Sequence, residues 1–270
     1  SCVGRCSLTL ALPVLSAAGV NTSVLPTALL STHTGEFTGY THLDLTDQLL
    51  PIAKHLSTLG LHFDAFYTGY LASAQQVEQI EQIMDMLCDP QTHVFVDPAF
   101  ADHGRLYSLM DPSMPERMRE LCGKARTIVP NLTEACLMLG IPYRESGYSE
   151  NDVRVIAQKL ARLGPESVII TDVSVKHDET GIAVYRQADD AFLTLYRPRY
   201  DGVFHGTGDV FASFLLSALL KDLPLERAAA LALDCTHESI RLTLEAGEPL
   251  RYGVQFERVL PRLIHEIFDH

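Results

Sequence analysis

The chain has 270 residues, of which 47 % are hydrophobic and 20 % charged, and its formal net charge is −13. That length buries a large core within one α/β domain. The acidic balance excludes an ordinary nucleic-acid partner, which needs a clustered basic face, while nucleotide phosphates remain accessible to it through backbone amides and Mg²⁺. No apolar run approaches the ~20 residues of a membrane span. The six cysteines (Cys2, Cys6, Cys88, Cys122, Cys136, Cys235) include no CxxC pair. They fit a reducing cytoplasm better than a disulfide framework or a zinc site. No Pro/Gly/Ser-rich linker interrupts the sequence, so one domain over residues 1–270 is expected. Because the chain opens without Met, an upstream strand or targeting segment is expected before Ser1.

In chain order, the segment around Cys2 and Cys6 reads as a glycine-containing turn, followed by a strand at Val24–Leu30. Further strands are predicted at Phe63–Thr68, His93–Val96, Thr127–Val129 and Val168–Thr171. Helical patterns separate them at Leu45–Leu59, Ala74–Cys88, Pro115–Ala125, Leu132–Leu139 and Glu150–Leu163. Gly181–Arg186 and Ala191–Tyr196 read as a hairpin turning at Gln187–Asp190, and helices follow at Asp209–Lys221, Leu225–Leu244 and Val254–Phe268. Such alternation predicts a three-layer α/β/α sandwich with a mainly parallel central sheet and an antiparallel edge. Ligands bind beyond the carboxyl ends of strands in such sheets. The residues just after the runs are therefore the ones to inspect: Ser31–Gly35, Thr68–Tyr70, Asp97-Pro98, Pro130-Asn131 and Thr171-Asp172.

The segment richest in chemistry is His205-Gly206-Thr207-Gly208-Asp209, which opens an apolar helix. Two glycines let the backbone bend tightly and approach a ligand. The helix start aims free N–H groups and a positive dipole end at an anion. Asp209 at that first turn is poised to take a proton from a hydroxyl attacking phosphorus, while the amides of Gly206, Thr207 and Gly208 hold the charge that develops. An N-terminal capping acid is the alternative for Asp209. A Walker-A motif is absent, and GxGxxG fails because Phe211 takes the third glycine position.

Taken with Gly4–Thr9, Ser31–Gly35, Thr68–Leu71, Asp97–Asp102 and Val129–Glu134, the Gly206–Asp209 segment resembles the ribokinase-like kinases, specifically their pyridoxal kinase branch. The resemblance runs along essentially the whole chain. It implies transfer of the ATP γ-phosphoryl group to the 5′-hydroxymethyl of a vitamin B6 pyridine, with Asp209 as base. His33, Thr34, Gly35 and Tyr70 would meet the acceptor, Tyr70 along the ring. Asp97, Val129, Asn131, Glu134 and Thr171 would face ATP, and Asp97, Asp102 and Glu134 would serve Mg²⁺. Arg197-Pro198-Arg199-Tyr200 resembles the segment that covers the nucleotide. Each has a plainer reading: a capping box for Asn131 and Glu134, a strand terminator for Thr171, an exposed basic turn for Arg197–Tyr200, and satisfied core residues for His33 and Tyr70. The resemblance further implies a homodimer and a monovalent cation such as K⁺. The family's contact to the ring-nitrogen region would lie at or before residue 1, and Ala101 stands where relatives often have Gly. The rival readings are a hydroxymethylpyrimidine kinase, a branch that usually carries Cys at the position of Asp209, and a non-catalytic B6-binding protein.

Overall fold

The computed structural model describes residues 1–108 and 110–268. Along the chain run α1 (Leu8–Ala17), β1 (Ala28–Leu30), β2 (His42–Asp44), α2 (Thr46–Ser57), β3 (Ala65–Thr68), α3 (Ala74–Leu87), β4 (His93–Val96), β5 (Ala101–Asp102) and β6 (Arg105–Leu106). There follow α4 (Met114–Gly123), β7 (Thr127–Ile128), α5 (Leu132–Met138), α6 (Glu150–Ala161), β8 (Ser167–Val173), β9 (Glu179–Arg186), β10 (Ala191–Pro198), α7 (Thr207–Leu219), α8 (Leu225–Ala246) and α9 (Leu260–Phe268). These elements gather into two compact units. One comprises Ser1–Val24, Leu29–Leu43 and Arg197–His270, the other Leu25–Ala28 and Asp44–Tyr196.

The second unit is built on a six-stranded sheet of order β10-β9-β8-β7-β4-β3. Its β3–β4, β4–β7 and β7–β8 pairs are parallel, and β8–β9 is antiparallel. Strand β4 is the run His-Val-Phe-Val, in which Val94, Phe95 and Val96 are all buried. Burial on both faces is what a central parallel strand requires, and it removes the polar alternation of a half-exposed one. Helices cover the sheet because each offers an apolar stripe. Helix α3 buries Val77, Ile80, Ile83 and Met84 at helical spacing. Each such side chain stabilises the fold by about 1.5–3 kcal/mol on leaving water. Ser73 caps α3 by accepting from the Gln76 N–H, and Ser149 and Asp152 form a capping box on α6.

The first unit is helical. Helix α7 packs against α8 and α1, and α1 against α9. Every residue of α7 from Val210 to Ala218 is buried, so this helix is apolar all round because neighbours surround it. Helix α8 ends at Gly247, whose φ of 65° is the left-handed conformation that closes helices.

The mixed, mainly parallel sheet with helices around it is the ribokinase-like arrangement expected, and β9 and β10 form the expected edge around a short turn at Gln187–Asp189. Five features depart from the sequence reading, one of them the short strand β2, which was not foreseen. The strand expected at Val24–Leu30 contracts to Ala28–Leu30. Leu8–Ala17, not foreseen, is a helix despite Pro13 inside it. The pair β5–β6 is an antiparallel hairpin turning at His103 and Gly104 (φ 48° and 75°), the positive-φ pair that two-residue hairpins favour. The helix expected over Val254–Phe268 begins only at Leu260, after a 3₁₀ turn at Phe256–Arg258. All six cysteines are free, and among the described residues no helix is long and apolar enough to cross a membrane.

Gly181 in β9 tests the sheet edge directly. A Cβ there would fall 1.9 Å from the carbonyl oxygen of Leu195 in β10, which backbone cannot yield. Gly181→Ala is expected to destabilise the protein by at least about 1–3 kcal/mol, the range for overpacking, read as a lower urea midpoint at unchanged slope.

Candidate functional site

In the first unit the chain turns into α7 at Gly206, whose φ is 76°. A side chain there is excluded twice over: the conformation is left-handed, and a Cβ would lie 2.3 Å from the Arg5 carbonyl oxygen. The first intrahelical bond runs from the Val210 N–H to the Gly206 carbonyl, leaving the amides before it without a partner inside the helix. Over Gly208, which is exposed, no atom from beyond its own helix turn lies within 4 Å of the Cβ position. Open space above first-turn amides suits a close-approaching anion.

Asp209 sits on that turn, half-buried. Its Oδ2 accepts from the Ser7 N–H at 2.8 Å. Burial pushes its carboxyl above the ordinary value of 3.8, while the Ser7 N–H and the nearby His33 pull it back. Ser7 is held at φ 54°, ψ −131°, a strained conformation for a residue with a side chain, costing on the order of 1–3 kcal/mol. That strain aims the amide at the carboxylate. The preceding Arg5 is tied down by its N–H to the Tyr252 carbonyl and by its guanidinium to Glu248 and Glu257. Burial and Asp209 push the Cys6 thiol up to about 12, so it stays protonated beside the loop and is no nucleophile.

His33, Thr34 and Gly35 lie in the same unit, Thr34 and Gly35 exposed. His33 is committed at both nitrogens: Nε2 stands 2.6 Å from the Arg251 carbonyl, and Nδ1 accepts from the Gly35 N–H at 3.1 Å. With one nitrogen facing a carbonyl and the other accepting from an amide, its work here is to shape the loop. Arg197 and Pro198 end β10, Arg199 and Tyr200 follow it, and the run is fastened to α8. The Arg197 guanidinium pairs with Asp234 (Nε to Oδ1 2.7 Å), which also holds Arg262. His237 Nε2 lies 3.0 Å from the Pro198 carbonyl, and Tyr200 stacks on the His237 ring at 4.8 Å. Pro198 and Arg199 are exposed.

In the second unit the parallel strand ends converge. The Asp97 N–H reaches the Thr68 carbonyl, Val129 that of Val96, and Thr171 that of Pro130, and Asn131 bridges to Thr171. A bulge between Ile170 and Val173, with Asp172 at φ 56°, breaks the pairing of β8 with β9 at this point. Val129 is buried, Thr171 is half-exposed, and Tyr70 packs against the core beyond β3. Asn131 and Glu134 do form the capping box of α5, and they do more. Glu134 accepts from the N–H groups of Asn131 (2.9 Å), Phe100 (3.0 Å) and, more weakly, Ala101 (3.4 Å), and Asn131 Nδ2 donates to the Ala101 carbonyl. The start of α5 thus grips the loop that follows Asp97. With Ala101 buried and its amide turned to Glu134, that loop closes without a glycine at 101.

Both Asp97 and Glu134 are buried. Burial first, then the charge of Asp97, drives the Glu134 carboxyl well above the ordinary range, against the three backbone donors. Two neighbouring buried carboxylates fit a divalent cation that takes oxygen ligands and keeps its waters. Asp102 is exposed on β5, where its Oδ1 accepts from the His103 N–H. Among the described residues no three acidic, His or Cys side chains gather into a metal cage. Sequence reasoning gave no role to Ser7, Arg251, His205 or Glu36. Ser7 and His205 lie inside segments it singled out, but only the folding of distant segments shows what they touch.

Carboxylates at parallel strand ends and a glycine-led helix with an acid on its first turn are features of the ribokinase-like kinases. Residues 12–252 match the phosphomethylpyrimidine kinase family, and the chain belongs to it and is similar to pyridoxal kinases. It is 30 % identical over 276 residues to the pyridoxine/pyridoxal/pyridoxamine kinase of Bordetella avium, spanning 91 % of this chain and 86 % of that one. The crystal structure of pyridoxal kinase from Lactobacillus plantarum superposes with a TM-score of 0.90 at 31 % identity, covering 99 % of this chain and 95 % of that one. A Bacteroides thetaiotaomicron protein named as a phosphomethylpyrimidine kinase, in a crystal form with pyridoxal, gives 0.92 at 34 % identity, with 97 % and 91 % covered.

The grip of α5 on the Asp97–Asp102 loop is open to test. Asn131→Ala removes the cap on the Glu134 N–H and the bond to Ala101, and is expected to cost about 1–2 kcal/mol in urea denaturation. Asn131→Asp keeps the cap, loses only the donor, and should recover about half of that.

Proposed function

We propose that the protein is an ATP-dependent kinase that phosphorylates the 5′-hydroxymethyl group of pyridoxal, pyridoxamine or pyridoxine. The observation that carries this reading is the Asp209 carboxylate, pushed upward by burial at the edge of unpartnered helix amides. The vitamer hydroxyl attacks the γ-phosphorus, the new O–P bond forms as the bond to the ADP oxygen breaks, and Asp209 takes the proton. The amides of Gly206, Thr207 and Gly208 hold the negative charge of the phosphoryl oxygens. Thr34 and Gly35 line the acceptor loop that His33 shapes, and Tyr70 packs along the pyridine ring.

Nucleotide binding is assigned to Asp97, Val129, Asn131, Glu134 and Thr171, with Arg197–Tyr200 covering the base and sugar. Mg²⁺, when bound, neutralises phosphate charge. Asp97 would hold it, Glu134 would reach it only indirectly because its oxygens already serve backbone donors, and Asp102 would be the third acid, exposed on β5. The family match runs through both units, in keeping with one kinase domain over residues 1–270. A cytoplasmic homodimer that uses K⁺ completes the reading, on the family resemblance. The hydroxymethylpyrimidine alternative is disfavoured by Asp209 in place of Cys and by relatives named for vitamin B6.

Incubation with Mg-ATP and, separately, each B6 vitamer, hydroxymethylpyrimidine and ribose, followed by ADP release, decides among these. Turnover is expected with the vitamers. Turnover with the pyrimidine alone, or pyridoxal binding without any turnover, overturns the proposal. Asp209→Asn keeps the shape and removes the base, and should lower kcat by at least ~10²-fold. Because the base works ionised and its pKa is raised, activity is lost as pH falls through that raised value. The acid limb of the kcat/KM profile should therefore lie above 3.8, the ordinary carboxylate position.

A further inference from the structure

His205 opens the Gly206–Asp209 segment but has no part in the chemistry above. Its ring lies 4.8 Å from that of His33, tilted by 40°. A Cβ placed on Gly35 would fall 2.6 Å from His205 Cε1 and 2.9 Å from its Nδ1. Gly35 has no left-handed conformation to account for its lack of a side chain, so the His205 ring is what demands a glycine there. The third neighbour is His33 Nδ1, which such a Cβ would meet at 3.1 Å and which already accepts from the Gly35 N–H. Residues 33–35 are thus wedged between the Arg251 carbonyl on one side and the His205 ring on the other.

His205 acts here by shape. Its Nε2 is shielded from solvent without an aligned hydrogen bond, although Glu36 Oε2 stands 3.4 Å away. Burial first, and then His33, lower its pKa, with Glu36 opposing, so the ring is neutral near pH 7 and the pair with Glu36 carries no full charge.

We propose that His205 is a positioning residue, wedging the acceptor loop at residues 33–36 against the anion loop at 206–209 so that the vitamer is presented to Asp209. This rests on reading 33–36 as the acceptor loop.

Four proteins test it: His205→Ala, His205→Phe, Gly35→Ala and the His205→Ala/Gly35→Ala double variant. His205→Ala is expected to raise KM for pyridoxal by about tenfold, within the ~10²-fold that loss of positioning can cost, and to leave KM for ATP within about twofold. His205→Phe keeps a flat ring and should restore most of the pyridoxal KM. Gly35→Ala should be damaging alone and add little in the His205→Ala background, since neighbours that act through one contact do not add. Amide hydrogen exchange over residues 33–37 of the ligand-free proteins supplies a readout independent of turnover, and should quicken in His205→Ala. Unchanged pyridoxal KM with unchanged exchange, or effects at 35 and 205 that simply add, overturns the proposal. If the wild type turns over no vitamer, the functional reading fails, and exchange still decides whether His205 holds the loop. If His205→Ala does not fold, His205→Phe and Gly35→Ala carry the test.

Discussion

An ionised carboxylate at a half-buried helix start must be held, and Asp209 is held by one amide, the Ser7 N–H. Much of the first unit's geometry follows from that bond. Ser7 must take a strained backbone conformation to point its N–H at the carboxylate. The residue two before it must then pass so close to α7 and to the 253 turn that both Gly206 and Gly253 approach the Arg5 carbonyl, their Cβ positions 2.3 and 2.7 Å from it. Arg5 is in turn braced by two glutamates. A cationic partner would hold Asp209 more firmly but would lower its basicity. One amide opposed by burial leaves the carboxyl raised, which a general base requires.

The second unit meets the same difficulty in the same way. Glu134 is buried beside another acid, and backbone N–H groups from two segments hold it, with no Lys or Arg side chain bonded to it in the described structure. For a chain with a net charge of −13, the proposed reading makes the attraction for phosphate local, a matter of the amides at the start of α7 and not of net charge.

The sheet and its helices were legible where one physical signal dominated. Val94-Phe95-Val96 is an apolar run with side chains on both faces, and α3 and α6 carry serine caps before a clear apolar stripe. Leu8–Ala17 was not legible, because a helix apolar nearly all round shows no periodicity and Pro13 argues against one. The hairpin of β5 and β6 is too short to show a pattern, and it owes its form to the turn at His103-Gly104 and to Glu134 and Asn131 elsewhere in the chain. At the site, Gly206–Asp209 and Asn131–Glu134 could be found because each is contiguous. The roles of His205 and Arg251 could not, since they lie in contacts with residues 33 and 35, more than 150 positions away.

The fastening of residues 197–200 has a mechanical corollary. Its anchors, Asp234 and His237, are three residues apart on α8 and so share one face of that helix. To swing outward the strand end must give up an ion pair, a carbonyl bond and a ring stack together. Its release is therefore concerted, with few half-open states, and a single substitution on that helical face changes how often the segment departs more than how far it travels.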